Sequence, residues 1–238
     1  MRLEGRAALV IGASGGIGRA IALAFAREGA PLALAARTET ALEGVAREVE
    51  GVGGRAAVFP TDVTDEAQVQ RLVDGAQAAL GRIDVLVTAA GVGAFAPVER
   101  STLADWEWMM AANLRGTYLA CRAILPVMRG QGGGTIINVL SLAAKRPIPE
   151  CAAYCASKFG ALGFTLVLAE EARAYGIRVG ALCPGATDTP FWDTIPNAPG
   201  REGMLRPEQV AEAALLMATQ PARTAVEEIV MGPAAGLL

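Results

Sequence analysis

Tyr154-Cys155-Ala156-Ser157-Lys158 places a phenol and an ammonium four residues apart, with a second hydroxyl, Ser141, thirteen residues upstream. On a helix, side chains at i and i+4 share a face with their Cβ atoms about 5–6 Å apart, so the two groups can meet. Tyrosine ordinarily titrates near pH ~10. An ammonium about 4 Å away, at an effective dielectric of about 20, attracts the phenolate by up to about 4 kcal/mol. At about 1.36 kcal/mol per pH unit, that attraction moves the phenol towards neutral pH, where acid–base catalysis works best. A serine delivered to the same point by the end of a strand adds a hydrogen-bond donor. Alone, such a pair fits an ordinary surface helix better, and the catalytic reading needs support from elsewhere in the chain.

The rest of the composition narrows the chemistry. Among 238 residues the only lysines are Lys145 and Lys158, and histidine is absent. Without histidine there is no Ser-His-Asp or Cys-His nucleophile system and no histidine-ligated zinc; no metal site is expected. The match of Gly12-Ala13-Ser14-Gly15-Gly16 to a nucleophile elbow therefore lacks its base. A net charge of −3 gives no reason to expect nucleic-acid or anionic-membrane binding. Cys121, Cys151, Cys155 and Cys183 lack C-x-x-C spacing and read as reduced, buried residues of a cytoplasmic protein. Cys151 and Cys155 flank Tyr154, with packing the favoured role. No signal peptide fits, and no apolar run of about 18 residues predicts a membrane span.

The elements that must position these groups follow from periodicity. Short apolar runs at 7–11, 32–36, 56–59, 83–87, 135–140, 177–183 and 228–231 read as strands. Between them, helical spacing marks 16–28, a stretch around 42–49, and a helix capped by Thr64 or Asp65. Further helices are expected over 103–128, 152–175 and 207–219. Helix 152–175 is apolar on more than one side, which predicts burial on both faces, within the domain or against a second subunit. The segment 190–205, rich in proline, glycine and aromatics, reads as a loop or lid. No boundary, repeat or low-complexity tract interrupts the chain. Strands separated by single helices imply one α/β domain, a doubly wound parallel seven-stranded sheet over 1–238.

The glycine-rich stretch Gly12-Ala13-Ser14-Gly15-Gly16-Ile17-Gly18 joins the first strand to the first helix. There the turn is tight and free N–H groups at the helix start favour the pyrophosphate of a dinucleotide. In order along the chain stand Gly12-x3-Gly16-x-Gly18, Ala89-Ala90-Gly91, Asn113, Ser141, Tyr154-x3-Lys158 and Pro184-Gly185. This ordered set, with its thirteen-residue gap from Ser141 to Tyr154, resembles the short-chain dehydrogenases/reductases over about residues 5–190.

The resemblance implies a seven-stranded Rossmann fold, Tyr154 as general acid/base and Ser141 holding the substrate oxygen. It also implies that Lys158 binds the nicotinamide ribose and lowers the tyrosine pKa, and that Asn113 organises a water relay through its backbone. Thr189 would hold the carboxamide with Thr187 nearby, and Asp62 and Val63 would meet the adenine, Asp62 being equally suited to capping a helix. Two departures stand out: Ile11 replaces the family's threonine, and Thr88 and Ala89 replace its asparagines, which puts the rigidity of the cofactor loops in question.

At the end of the second strand, Ala36 stands where an acid would bind the ribose of NAD, and Arg37 follows. NADP is therefore favoured over NAD, unless Arg37 is only a solvated charge. The expected activity is reduction of a modest, mostly apolar carbonyl compound, walled by Phe95, Leu142, Ala143, Pro147, Phe191 and Trp192. A 3-oxoacyl-acyl-carrier-protein reductase is the alternative, and a non-catalytic NADP-binding regulator is an alternative of another class. The helices 103–128 and 152–175 match those that build family homodimers and homotetramers.

Overall fold

β1 (Ala8–Ile11) and β4 (Val85–Thr88) consist of residues that are all buried, as strands covered on both faces must be. In a computed structural model, describing all residues except 197, 235, 237 and 238, they lie side by side at the centre of a sheet. With β2 (Leu32–Ala36), β3 (Ala56–Pro60), β5 (Gly134–Val139), β6 (Ile177–Pro184) and β7 (Glu228–Met231), they form seven parallel strands in the order β3-β2-β1-β4-β5-β6-β7. The order reverses between β1 and β4, which opens a crevice at the carboxyl ends of the strands.

Alternation along β1 divides the core. Ala8 and Val10 join α1 (Gly16–Arg27), α2 (Glu39–Gly51) and α7 (Pro207–Ala218) on one face. Leu9 and Ile11 join α3 (Glu66–Leu80), α5 (Gly116–Gly130) and α6 (Ala152–Arg173) on the other. Asp65 caps α3, its Oδ1 accepting from Gln68 N–H at 3.0 Å.

The helix expected over 103–128 is interrupted. α4 (Leu103–Met109) and α5 are joined by a π-helical segment, Met110–Arg115. The wider turn of such a segment brings Asn113 to a fully buried position, and the Thr117 hydroxyl donates to its carbonyl at 2.9 Å. Within one chain α6 buries one face and leaves Phe159, Leu166 and Val167 exposed, so its second face is not covered from within the domain. By length and composition it is apolar enough to cross a membrane, with mean hydropathy 1.4 over 18 residues, contrary to expectation. It instead packs Ala161, Leu162 and Leu168 into the core.

Candidate active site

Each strand end at the crevice delivers one group. β1 runs into the glycine turn, where Gly12 adopts φ +84 and a Cβ would stand 2.5 Å from Ala90 N. The glycine turn and the loop after β4 thus touch backbone to backbone. Gly18, one turn into α1, lies so close to Gly12 that a Cβ would come 2.1 Å from its carbonyl oxygen. These contacts seat α1 tightly on β1 and leave Ser14, Gly15, Gly16 and Ile17 on the wall of a cleft of about 760 Å³.

The same wall includes Arg37 beyond β2, Asp62 and Val63 beyond β3, and Ala89, Ala90 and Gly91 beyond β4. Past β5 it has Ser141, from α6 Tyr154 and Lys158, and past β6 Gly185, Thr187 and Thr189. Pro184 does not line it, being the last residue of β6. Ala36, whose lack of a carboxylate is the cofactor signal, lines it too, as do Thr38, Thr61, Val92 and Ala186; the small or apolar side chains of these four carry no sequence signal for a site.

Ser141 caps a short 3-10 turn, its Oγ accepting from Ala143 N–H at 3.1 Å. One lone pair is thereby occupied, and the hydroxyl proton is left to point elsewhere. Tyr154 sits among rings, with Phe95 edge-on at 5.6 Å and Phe191 at 5.9 Å between centroids. Desolvation in this wall pushes the phenol up to about 12, against the opposing effect of the Ser141 hydroxyl. Lys158 is 4% exposed. Burial lowers its ammonium to about 8, and Nζ donates to Val139 O at 3.4 Å. Nζ lies 5.8 Å from the centre of the Tyr154 ring. The expected lowering of the tyrosine pKa is therefore reversed in the protein alone, because taking the phenol out of water is the largest effect on it.

Asn113 lies behind the cleft. Its Oδ1 accepts from Val92 N–H at 2.8 Å, while Nδ2 donates to Val92 O at 2.9 Å and to Ser157 Oγ at 3.0 Å. Ser157 Oγ donates in turn to Tyr154 O at 2.7 Å. One side chain thus ties the loop after β4 to the turn that carries the tyrosine. Ser157 had no sequence signal beyond its place in the five-residue stretch. Deeper in the sheet, the Thr88 hydroxyl donates to Asn138 Oδ1 at 2.8 Å, and Asn138 Nδ2 donates to Thr165 Oγ1 at 2.9 Å. These bonds hold the loop whose rigidity the Thr88 and Ala89 departures put in question, while Ile11 is simply core.

Asp62 does not cap α3. Its Oδ1 accepts from Thr64 N–H at 2.9 Å and from the Thr64 hydroxyl at 2.8 Å, closing a local turn. Of the six expected walls, Phe95, Leu142, Phe191 and Trp192 line the cleft. Ala143 is buried behind it against Cys151 and Cys155, and Pro147 is exposed outside it. Ile148 and Cys151 take those places.

Residues 6–199 match the family model described as short chain dehydrogenase. A D-threitol dehydrogenase of Mycolicibacterium smegmatis is 40% identical over 93% of this chain and 88% of its own. A 3-oxoacyl-acyl-carrier-protein reductase of Thermotoga maritima is 34% identical over 92% of each chain. Among solved structures, a metagenomic short-chain oxidoreductase in complex with NADP superposes with a TM-score of 0.86 at 36% identity, covering 98% of this chain and 99% of its own. The glycine turn between β1 and α1, the seven-stranded order and this likeness along nearly the whole chain agree: the protein belongs to the short-chain dehydrogenase family and is an oxidoreductase of CH–OH groups.

Proposed function

We propose that the protein interconverts a carbonyl and an alcohol with NADP(H), using Tyr154 as the acid–base group, Ser141 to hold the reacting oxygen and Lys158 at the nicotinamide ribose. The observation that carries this reading is the meeting of these three side chains with the glycine turn in one cleft.

The residues present fit a dinucleotide. α1 starts without a side-chain cap or an acidic residue in its first turn, so its first N–H groups and the positive end of its dipole serve a pyrophosphate. A Cβ on Gly15 would meet nothing within 4 Å, which leaves room beside that backbone. Asp62 and Val63 would meet the adenine, Ala89, Ala90 and Gly91 would border the ribose side, and Thr187 and Thr189 would hold the carboxamide. Arg37, exposed on the wall, would pair with a 2′-phosphate, and the NADP-bound relative supports the same choice. Arg37→Ala should raise KM for NADPH about tenfold or more and leave KM for NADH within about threefold; equal effects in steady-state kinetics would sink the assignment.

The nicotinamide, when bound, supplies or takes up the hydride. Tyr154 holds its proton throughout the neutral range and gives it to the oxygen of a carbonyl being reduced; in the reverse direction its phenolate takes that proton back. Ser141 donates its free hydroxyl proton to the same oxygen. Asn113 acts as a positioning residue: its side chain holds Val92 and Ser157, and its carbonyl is engaged by Thr117. The chain works as one domain, cytoplasmic, with 190–205 as a lid over the substrate end.

A second copy of the chain covers the exposed apolar residues Tyr118 on α5 and Phe159, Leu166 and Val167 on α6, Val167 being 59% exposed. Light scattering at micromolar concentration should give a dimer or tetramer, and a monomer would refute this. The activity itself is tested by NADPH oxidation on a panel of ketones, aldehydes and a 3-oxoacyl thioester, the last because of the Thermotoga relative. NADPH binding with no turnover on any of them would leave a regulator instead.

A further inference from the structure

Resting on the carbonyl-reductase reading, we infer that the substrate end of the cleft selects an uncharged ketone with an apolar, ring-bearing body and turns away polyols and oxo or hydroxy acids. A name transferred from the threitol-oxidising relative would predict the opposite.

The walls beyond Tyr154 and Ser141 are Phe95, Leu142, Ile148, Cys151, Phe191 and Trp192. Four rings form one cluster: Phe95 meets Tyr154 at 5.6 Å, Phe191 at 6.1 Å and Trp192 at 6.1 Å, and Phe191 meets Trp192 at 5.4 Å with their planes 87° apart. Phe191 enters this cluster over Gly93, where a Cβ would stand 2.5 Å from its Cζ. The lid segment Pro190–Thr194 thus brings its rings down to the loop after β4.

Among the described residues, two polar side chains of this end are already engaged. Trp192 Nε1 donates to Thr187 O at 3.0 Å, and the Thr187 hydroxyl donates to Gly185 O at 2.9 Å. Cys151, pushed up to about 11 by burial, is a neutral thiol. Thr189 stands beside Gly16, at the glycine-turn end. The charged residues on the cleft wall, among those described, are Arg37, Asp62 and Lys158. The first two follow β2 and β3, well across the sheet from β5, the strand that Ser141 follows; Lys158 is bonded to Val139 O. Tyr154 and Ser141 can serve one reacting oxygen. A further hydroxyl on a substrate would find few free partners among the described walls, and a carboxylate would be buried at greater cost. An apolar pocket rejects one added hydroxyl by about a hundredfold.

The test is steady-state reduction by the full-length enzyme with NADPH of acetophenone, erythrulose (the ketose that threitol oxidation yields) and pyruvate. The expected kcat/KM for acetophenone exceeds both others by about a hundredfold or more. A ratio below about tenfold, or preference for either polar ketone, overturns the inference while the carbonyl-reductase reading stands. No turnover of any carbonyl defeats that reading and the inference with it. Phe191→Ala, checked for NADPH binding, should lower the acetophenone-to-erythrulose ratio by about tenfold, chiefly through KM for acetophenone. An unchanged ratio in a variant that still binds NADPH also overturns it.

Discussion

Tyr154→Phe should lower kcat/KM for ketone reduction by about 10³-fold or more, within the range that a positioned acid–base group supplies, while NADPH still binds. The substitution removes one hydroxyl and keeps the ring that packs against Phe95 and Phe191, so the melting temperature should hardly move. The pH dependence separates the two directions. With the phenol pushed up to about 12, Tyr154 carries its proton across the neutral range, so reduction should be nearly flat from about pH 6 to 8. Oxidation needs the phenolate, whose fraction grows about tenfold per pH unit below that pKa, so alcohol oxidation should climb steadily on the alkaline side. Stopped-flow or steady-state profiles in both directions check this. A Tyr154→Phe variant retaining a tenth of wild-type turnover would remove Tyr154 from the chemistry.

Lys158→Met should give a protein that turns over at least about a hundredfold more slowly, binds NADPH more weakly and yet is more stable than the wild type. The ammonium is 4% exposed and titrates near 8, against an ordinary 10.5. Holding it charged in the folded state at neutral pH therefore costs about 3 kcal/mol. A methionine of similar length carries no such cost, and for a chain of this size the gain corresponds to about 6 °C or more in Tm. The sign follows from proton binding. Between pH 8 and about 10.4 the unfolded chain binds the lysine proton more tightly than the folded one, so wild-type stability rises with pH through that window. Below 8 the cost is fully present. The stability difference between variant and wild type should thus be greatest at neutral pH and shrink towards pH ~10. Denaturant titrations without cofactor measure it, and a Lys158→Met variant less stable than wild type at pH ~7 would show that the charge is compensated. Stability given up at this position is what a working lysine in a buried site requires.

How far the sequence alone reached depended on the kind of interaction. Parallel strands covered on both faces are apolar along most of their length, so β1, β2, β4 and β6 could be read within about two residues of their observed ends. The glycine turn, Ser141, Tyr154 and Lys158 stand at strand ends or a helix start, and strand order alone brings them together. The π segment at Met110–Arg115 could not be read, because one wider turn leaves the apolar spacing on either side almost unchanged. The exchange of Ala143 and Pro147 for Ile148 and Cys151 depends on how the loop before α6 runs. There Glu150 adopts φ +64 and its carbonyl accepts from Ala96 N–H at 2.8 Å, a partner far back in the chain that no local pattern announces. The direction of the Tyr154 pKa failed for a similar reason: spacing places a cation near the phenol, but only the packed structure says how little water either group retains.

The strand order also bears on how the chain is made. β1 needs β4 as its second neighbour, and from Ile11 to Val85 a ribosome adding about 5–20 residues per second takes roughly 4–15 s. During that interval β2 can cover one side of β1, but the other side is an open apolar edge, the kind that recruits foreign strands. The seam at which the crevice opens therefore closes only after β2 and β3 have been made, and the edge beside it must be shielded until then.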